Sequence, residues 1–292
     1  MRSPEPSTAA SALDAPIGVF DSGVGGLTVL RELRRRLPHE DFVYLGDTAR
    51  LPYGTKSPGS IRQYSLQAAR LLHERGVKCL VVACNTASAV ALDVLAAEFA
   101  PTPVLGVLEP GAAAACQATR SGRIAVLATE GTVRGGAYQA AIARLRPDAV
   151  VTARACPLFV ALAEEGWTDG PIVEGVIHRY LDEVFAATPV AAPDTLVLGC
   201  THFPVLAPAL RTVLGDGIAI VDSAATTAAA LADVLERHGL RRQAGGEGRV
   251  ELLATDGPER FARVGAVFLG QPLAPRDVEI VDLAFAPTPA GA

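Results

Sequence analysis

The chain has 292 residues, 50% of them hydrophobic and 20% charged, with 28 glycines and 21 prolines; this suits one large or two medium globular domains and excludes a low-complexity protein. A formal net charge of −5 provides no broad positive field, which argues against nucleic acid as a partner. No apolar run approaches the roughly 18 residues that cross a bilayer, and the start of the chain (Arg2, Pro4, Glu5, Pro6) lacks the apolar core of a signal peptide, so no membrane association and a cytoplasmic location are expected.

Residues 1–14, rich in Pro, Ala and Ser, read as a loose tail. Short apolar runs then alternate with longer helical patterns. The strands expected in order are Ile17 to Phe20, Phe42 to Leu45, Cys79 to Ala83, Val104 to Val107, Ile124 to Ala128, Ala149 to Ala153, Thr195 to Gly199, Ile218 to Val221, Val250 to Ala254 and Val278 to Val281. Leu27 to Leu37, Ile61 to Arg75, Thr132 to Leu145, Pro171 to Ala187 and Ala224 to His238 are long enough for crossover helices. Arg31, Arg34, Arg35 and Arg36 share the first of these with Leu30, Leu33 and Leu37 and read as a solvated face. The alternation predicts an α/β fold, parallel sheets with helices on both faces. A turn at Glu109-Pro110-Gly111, followed by an alanine-rich helix through Cys116, marks a boundary near the middle, and residues 284–292 form a second loose tail.

Gly23-Val24-Gly25-Gly26 follows a strand and opens a helix, but the third glycine of a dinucleotide fingerprint would fall on Thr28, so the fingerprint fails. What remains is a helix N-terminus beside Asp21 and Ser22, suited to a small anion or to plain packing of helix on strand. Cys84 lies where a strand ends and Asn85-Thr86 begin a helix; a thiol there is expected to have its pKa lowered by the helix dipole. Cys200, followed by Thr201 and His202, repeats the placement. The run Val81 to Thr86 echoes Leu196 to His202, and Phe20-Asp21-Ser22 more weakly echoes Val221-Asp222-Ser223. Two thiols in matching contexts suggest an acid/base pair facing one cleft. A nucleophilic cysteine with His202 as its base stays open. Zinc is disfavoured, since three ligands at no known zinc spacing can be nominated, and no metal is expected. Cys79, Cys116 and Cys156 read as core or incidental.

Ile17 to Leu27, Tyr44 to Gly54, Val81 to Ser88 and Val197 to Pro204 resemble, in order, the four motif blocks of the glutamate racemases within the aspartate/glutamate racemase family. Leu127 to Val133 and Cys156 to Gly166 extend the likeness over about residues 17–283. The resemblance implies two pseudo-symmetric α/β domains, residues 15–108 with 222–283 and residues 109–221, with the active site in the cleft between them. It implies cofactor-independent interconversion of L- and D-glutamate, supplying D-glutamate for peptidoglycan, by a homodimeric enzyme. By motif match, Cys84 and Cys200 are the two bases, with Asp21 and His202 assisting them. Asp21, Ser22, Tyr53, Gly54, Asn85, Thr86, Thr132, Glu164, Thr201 and His202 are implied to bind substrate or pass protons. Ala161, Ala163 and Gly135 depart from the family's usual residues near Glu164 and Thr132. A sister racemase acting on aspartate and a binding protein that kept the pocket are the alternatives.

Racemisation takes a proton from one face of the α-carbon and returns one to the other. Two thiols on opposite faces meet that need if one starts as thiolate and the other as thiol, and both work best with pKa values near the working pH.

Overall fold

The computed structural model describes residues 12–185, 192–243 and 245–283; apart from residues 12–14, the expected tails lie outside the described residues. The elements run β1 (Ile17–Asp21), α1 (Leu27–Arg36), β2 (Phe42–Gly46), α2 (Pro58–Glu74), β3 (Cys79–Val82), α3 (Asn85–Glu98), β4 (Val104–Gly106), α4 (Leu108–Ala118), β5 (Arg123–Ala128), α5 (Glu130–Gly135) and α6 (Ala137–Leu145). They continue with β6 (Val150–Ala155), α7 (Pro157–Glu164), α8 (Pro171–Phe185), β7 (Thr195–Gly199), α9 (Ala207–Leu214), β8 (Ala219–Asp222), α10 (Ser223–Arg237), β9 (Val250–Ala254), α11 (Pro258–Leu269) and β10 (Val278–Ile280).

The strands form a six-stranded sheet, β10-β9-β2-β1-β3-β4, and a four-stranded sheet, β6-β5-β7-β8. Every pairing is parallel. β1, β2, β3 and β7 are buried at every position, which is why they read as continuous apolar runs instead of alternating ones. Apolar clusters cover both faces of each sheet: Ile17 and Val19 of β1 point into one and Phe20 into another, and Leu127 and Val126 of β5 divide likewise.

The orders β2-β1-β3-β4 and β6-β5-β7-β8 are the same winding, so β1 corresponds to β5 and β3 to β7. In each sheet the order in which strands are added switches sides between β1 and β3 or between β5 and β7, and the C-terminal ends of those strands are where open parallel sheets take ligands. Cys84 and Cys200 follow the equivalent strands β3 and β7. The second echo has no such basis, because β8, which ends on Asp222, is an edge strand equivalent to β4 and not to β1. The expected helix over 132–145 is two helices. Gly136 adopts φ +65°, a conformation that costs glycine little, and the chain turns there between α5 and α6. On α1, Leu27, Leu30 and Leu33 are buried while the arginines stay wholly or partly exposed, the solvated face expected.

Candidate active site

β1 delivers Asp21 and Ser22 to the rim of the six-stranded sheet. Asp21 is buried, and its Oδ2 accepts the N–H groups of Gly23 at 3.1 Å and Gly26 at 3.0 Å. The start of α1 is thus occupied by the chain's own carboxylate, which corrects the expectation of a helix N-terminus free for a small anion. Asp21 Oδ1 is buried with no hydrogen-bond partner. Burial raises this carboxyl above its ordinary 3.8, against the pull of the His202 charge and the donated N–H groups. The glycines are required by space: a Cβ on Gly26 would lie 2.5 Å from Asp21 Cβ, and one on Gly25 would lie 2.4 Å from His202 Nδ1.

Cys84 ends the run of β3 and caps α3, accepting the Ala87 N–H at 3.4 Å and donating to Ser22 Oγ at 3.6 Å. Burial and the Asp21 carboxylate push its thiol up to about 12, although the Ala87 N–H and Ser22 favour the thiolate. This corrects the expected lowering by the helix dipole. The helix end does pull in that direction, but loss of solvent and a neighbouring negative charge outweigh it.

On the other sheet, Cys200 follows β7 and its Sγ faces His202 Nδ1 at 3.8 Å. His202 Nε2 bonds Glu164 Oε1 at 3.1 Å, and Glu164 Oε2 accepts from Arg260 Nη2 at 2.6 Å. Burial disfavours the imidazolium, yet the hydrogen bonds to Cys200 and Glu164 and the nearby negative groups prevail and raise His202 from 6.5 to about 10. Burial also opposes the Glu164 charge, but His202 and Arg260 hold that carboxyl below 4.5. At neutral pH His202 is therefore a cation that can donate from both ring nitrogens.

Ser22, Tyr53, Gly54, Cys84, Asn85, Thr86, Cys200, Thr201 and His202 line one cavity of about 40 Å³ together with Pro52, Thr129 and Val160. Both strand-end thiols, one from each sheet, share it. Asp21, Thr132 and Glu164 do not line it and stand behind those that do. Thr132 Oγ1 lies 3.2 Å from Thr86 Oγ1 and 3.1 Å from Thr129 Oγ1, a threonine triangle across the two sheets. Tyr53 is fully buried, its hydroxyl donating to Asp47 Oδ2 at 2.5 Å, so it is a wall and not a surface tyrosine. Asn85 accepts from Tyr138 Oη at 2.7 Å through Oδ1, leaving its buried Nδ2 without a partner. Thr129, Tyr138 and Arg260 were missed in the sequence. Thr129 alone had a signal there, since it follows β5 as Ser22 follows β1.

Cys79 and Cys156 are buried in the core, and Cys116 is partly exposed. A larger hollow, of about 510 Å³, lies at the N-terminal ends of β2, β9 and β10 among Asp41, Arg249, Glu251 and Arg276. It contains no nucleophile and sits at the wrong end of the strands for a ligand of this fold. Among the described residues, no group of three or more His, Cys, Asp or Glu side chains is placed to hold a metal ion. No helix among them is long and apolar enough to cross a membrane.

The sequence profile of the Asp/Glu/Hydantoin racemase family matches residues 17–231. A glutamate racemase of Geobacter metallireducens is 50% identical over 254 residues, 87% of this chain and 92% of its own. The glutamate racemase structure from Thermus thermophilus, in complex with β-chloro-D-alanine, superposes with a TM-score of 0.82 at 44% identity, covering 93% of this chain and 98% of that one. That from Francisella tularensis, in complex with D-glutamate, gives 0.84 at 35% identity over 93% and 98%.

Proposed function

The chain belongs to the Asp/Glu/hydantoin racemase family and is an isomerase that interconverts the enantiomers of glutamate, and from that premise we propose that Cys84 and Cys200 are the two groups that move the α-proton. One sulfur, as thiolate, takes the proton from the face it meets, and the opposite thiol delivers its own to the other face. The reverse reaction exchanges the roles. The observation that carries this reading is the meeting of both strand-end thiols in one cavity.

The α-carbon acid is weak, so the charge that develops on deprotonation needs donors aimed at the α-carboxylate. The unpaired Nδ2 of Asn85 is such a donor, and Ser22, Thr86 and Thr201 add hydroxyls on the same walls. Tyr53 and Gly54 shape the cavity; Thr132 supports Thr86, Asp21 acts on Cys84, and Glu164 acts through His202. His202, cationic below about pH 10, hands a proton to the Cys200 sulfur or balances its charge rather than acting as a free base. A cavity of about 40 Å³ holds a few waters and no amino acid, so the two sheets separate to admit glutamate. The lobes that move are residues 15–108 with 222–283 and residues 109–221. In a homodimeric, cytoplasmic enzyme of this kind, the D-glutamate made would feed peptidoglycan synthesis.

In D₂O without added cofactor, L-glutamate should lose its circular dichroism while gaining α-deuterium. Cys84→Ala and Cys200→Ala should each lower the rate by at least about 10³-fold, in line with loss of an essential proton-transfer group, while Cys79→Ala leaves it unchanged. Inversion that persists without either strand-end thiol would overturn the two-thiol reading.

A further inference from the structure

α11 packs on α1 and β10 of the six-stranded half, yet two of its side chains reach the Cys200 side of the cleft. Phe268, wholly buried, meets the His202 ring edge to face, with 5.1 Å between centres and 76° between planes. About two turns earlier, Arg260 Nη2 donates to Glu164 Oε2 at 2.6 Å, and Glu164 Oε1 accepts from His202 Nε2 at 3.1 Å. His202 Nδ1 then faces the Cys200 sulfur at 3.8 Å. A continuous polar chain thus runs from a helix of one half, through a carboxylate and an imidazole of the other, to a thiol.

We propose that Arg260 is a positioning residue for the Cys200 side of the reaction, occupying one oxygen of Glu164 so that the other stays aimed at His202 Nε2. The inference rests on the roles given above to Cys200 and His202. A glutamate on a flexible stem presents two equivalent oxygens and can swing between partners. With Oε2 held by the guanidinium, Oε1 keeps the Nε2 proton in place whether the ring is charged or neutral. The mobile proton is then the one on Nδ1, facing sulfur, which is how an outer partner fixes the tautomer of a working histidine. The Arg260 side chain is 44% exposed, and an ion pair of that kind adds little to stability. Its consequence is directional: it orders Glu164 only while α11 and α7 lie together across the cleft.

Because the two enantiomers have equal free energy, any variant must lower kcat/KM equally in both directions, so that ratio is uninformative. Isotope effects are informative. With α-deuterated glutamate, a handicap confined to Cys200 enlarges the isotope effect on kcat/KM for the enantiomer that Cys200 deprotonates. It shrinks the effect for the other enantiomer, whose rate becomes limited by reprotonation. Arg260→Gln should lower kcat/KM about tenfold, as loss of an outer partner commonly does, and drive the two isotope effects apart. Arg260→Lys, which keeps a cationic donor, should restore part of both. Arg263→Gln, an exposed charge on the same helix, should change neither. Isotope effects that move together, or do not move, in Arg260→Gln would overturn the positioning role while leaving the two-thiol reading intact, provided that Cys200→Ala is inactive. Turnover in Cys200→Ala would instead defeat the underlying reading, and this inference with it.

Discussion

The ends of β3 and β7 are equivalent in topology and opposite in electrostatics. Each places a cysteine at the C-terminal end of a buried parallel strand, 5% exposed in both cases. Behind Cys84 stands the buried carboxyl of Asp21, and its thiol is pushed up to about 12; beside Cys200 stands His202, raised to about 10 and tied to Glu164. The fold supplies two thiols on matched scaffolds, and their neighbours make them unequal. One is held in its protonated form and the other faces an imidazolium, so the site begins with a donor-loaded side and a cation-backed side. A symmetric reaction needs the two environments to be exchangeable on substrate binding, not identical beforehand.

The sharpest way to break this contrast is to neutralise each neighbour in turn. Asp21→Asn and His202→Asn should each lower kcat/KM by about 10²-fold, toward the low end of what a lost proton-transfer partner costs. Alkylation resolved by peptide mass spectrometry should separate the two variants. In Asp21→Asn the pH midpoint at Cys84 moves down, because a charge that raises the thiol is gone. In His202→Asn the alkylation rate at Cys200 changes while Cys84 keeps its profile. An unmoved Cys84 midpoint would leave burial as the whole cause and remove Asp21 from the account. His202 also marks stability: it holds its proton more tightly folded than unfolded. Its stabilisation is therefore complete below an imidazole's ordinary 6.5 and lost as the pH rises through about 10. The thermal midpoint should fall with pH across that window, less steeply in His202→Asn.

The strands and both thiols were legible because a fully buried parallel strand leaves an uninterrupted apolar run, and a cysteine abutting such a run stands out twice. What surrounds the thiols was not. Arg260 and Phe268 lie on an ordinary amphipathic helix some sixty residues after Cys200, and nothing in their spacing points to Glu164 or His202. The dipole argument for Cys84 named a real contribution but not its size against desolvation, which depends on the closed cavity. The split at Gly136 was lost because helical periodicity resumes one residue later. Val221-Asp222-Ser223 misled for the opposite reason, as local similarity without equivalent sheet position.

Two adjacent glycines allow the sides to be stressed separately. A methyl group on Gly26 would meet Asp21 Cβ at 2.5 Å and Tyr44 Oη at 2.9 Å, while one on Gly25 would meet His202 Nδ1 at 2.4 Å and Thr201 Oγ1 at 2.6 Å. Asp21 Cβ is fixed to β1 and cannot yield, so Gly26→Ala should cost about 1–3 kcal/mol of overpacking, read as a lower denaturation midpoint. The imidazole can shift only by loosening its contacts with Glu164 and Phe268, so Gly25→Ala should cost less stability than Gly26→Ala and lower kcat about tenfold by pulling Nδ1 off the sulfur, an outer-partner effect. Equal losses of stability would show that the two contacts are alike and that His202 is as rigidly held as the strand.

The smallest expected effect concerns a side chain that touches both ends. Tyr138 donates to Asn85 Oδ1 at 2.7 Å beside Cys84, and its ring packs so closely on the strand before Cys200 that a Cβ on Gly199 would lie 2.9 Å from it. Burial holds its phenol neutral at any working pH, so the hydroxyl is a fixed donor. That donor selects the amide orientation in which Nδ2, the unpaired buried group, is free for a carboxylate. Tyr138→Phe keeps the ring and deletes the selection. Asn85 Oδ1 then loses its partner, at a cost of about 1–3 kcal/mol that the amide can reduce by turning over, which withdraws the donor from the substrate. A donor that meets the carboxylate more strongly as negative charge develops there lowers kcat when it is withdrawn. The kcat for both enantiomers should therefore fall several-fold, with KM changing less. A raised KM at constant kcat would mean that Asn85 Nδ2 holds the carboxylate equally in the ground and transition states and does not stabilise the developing charge.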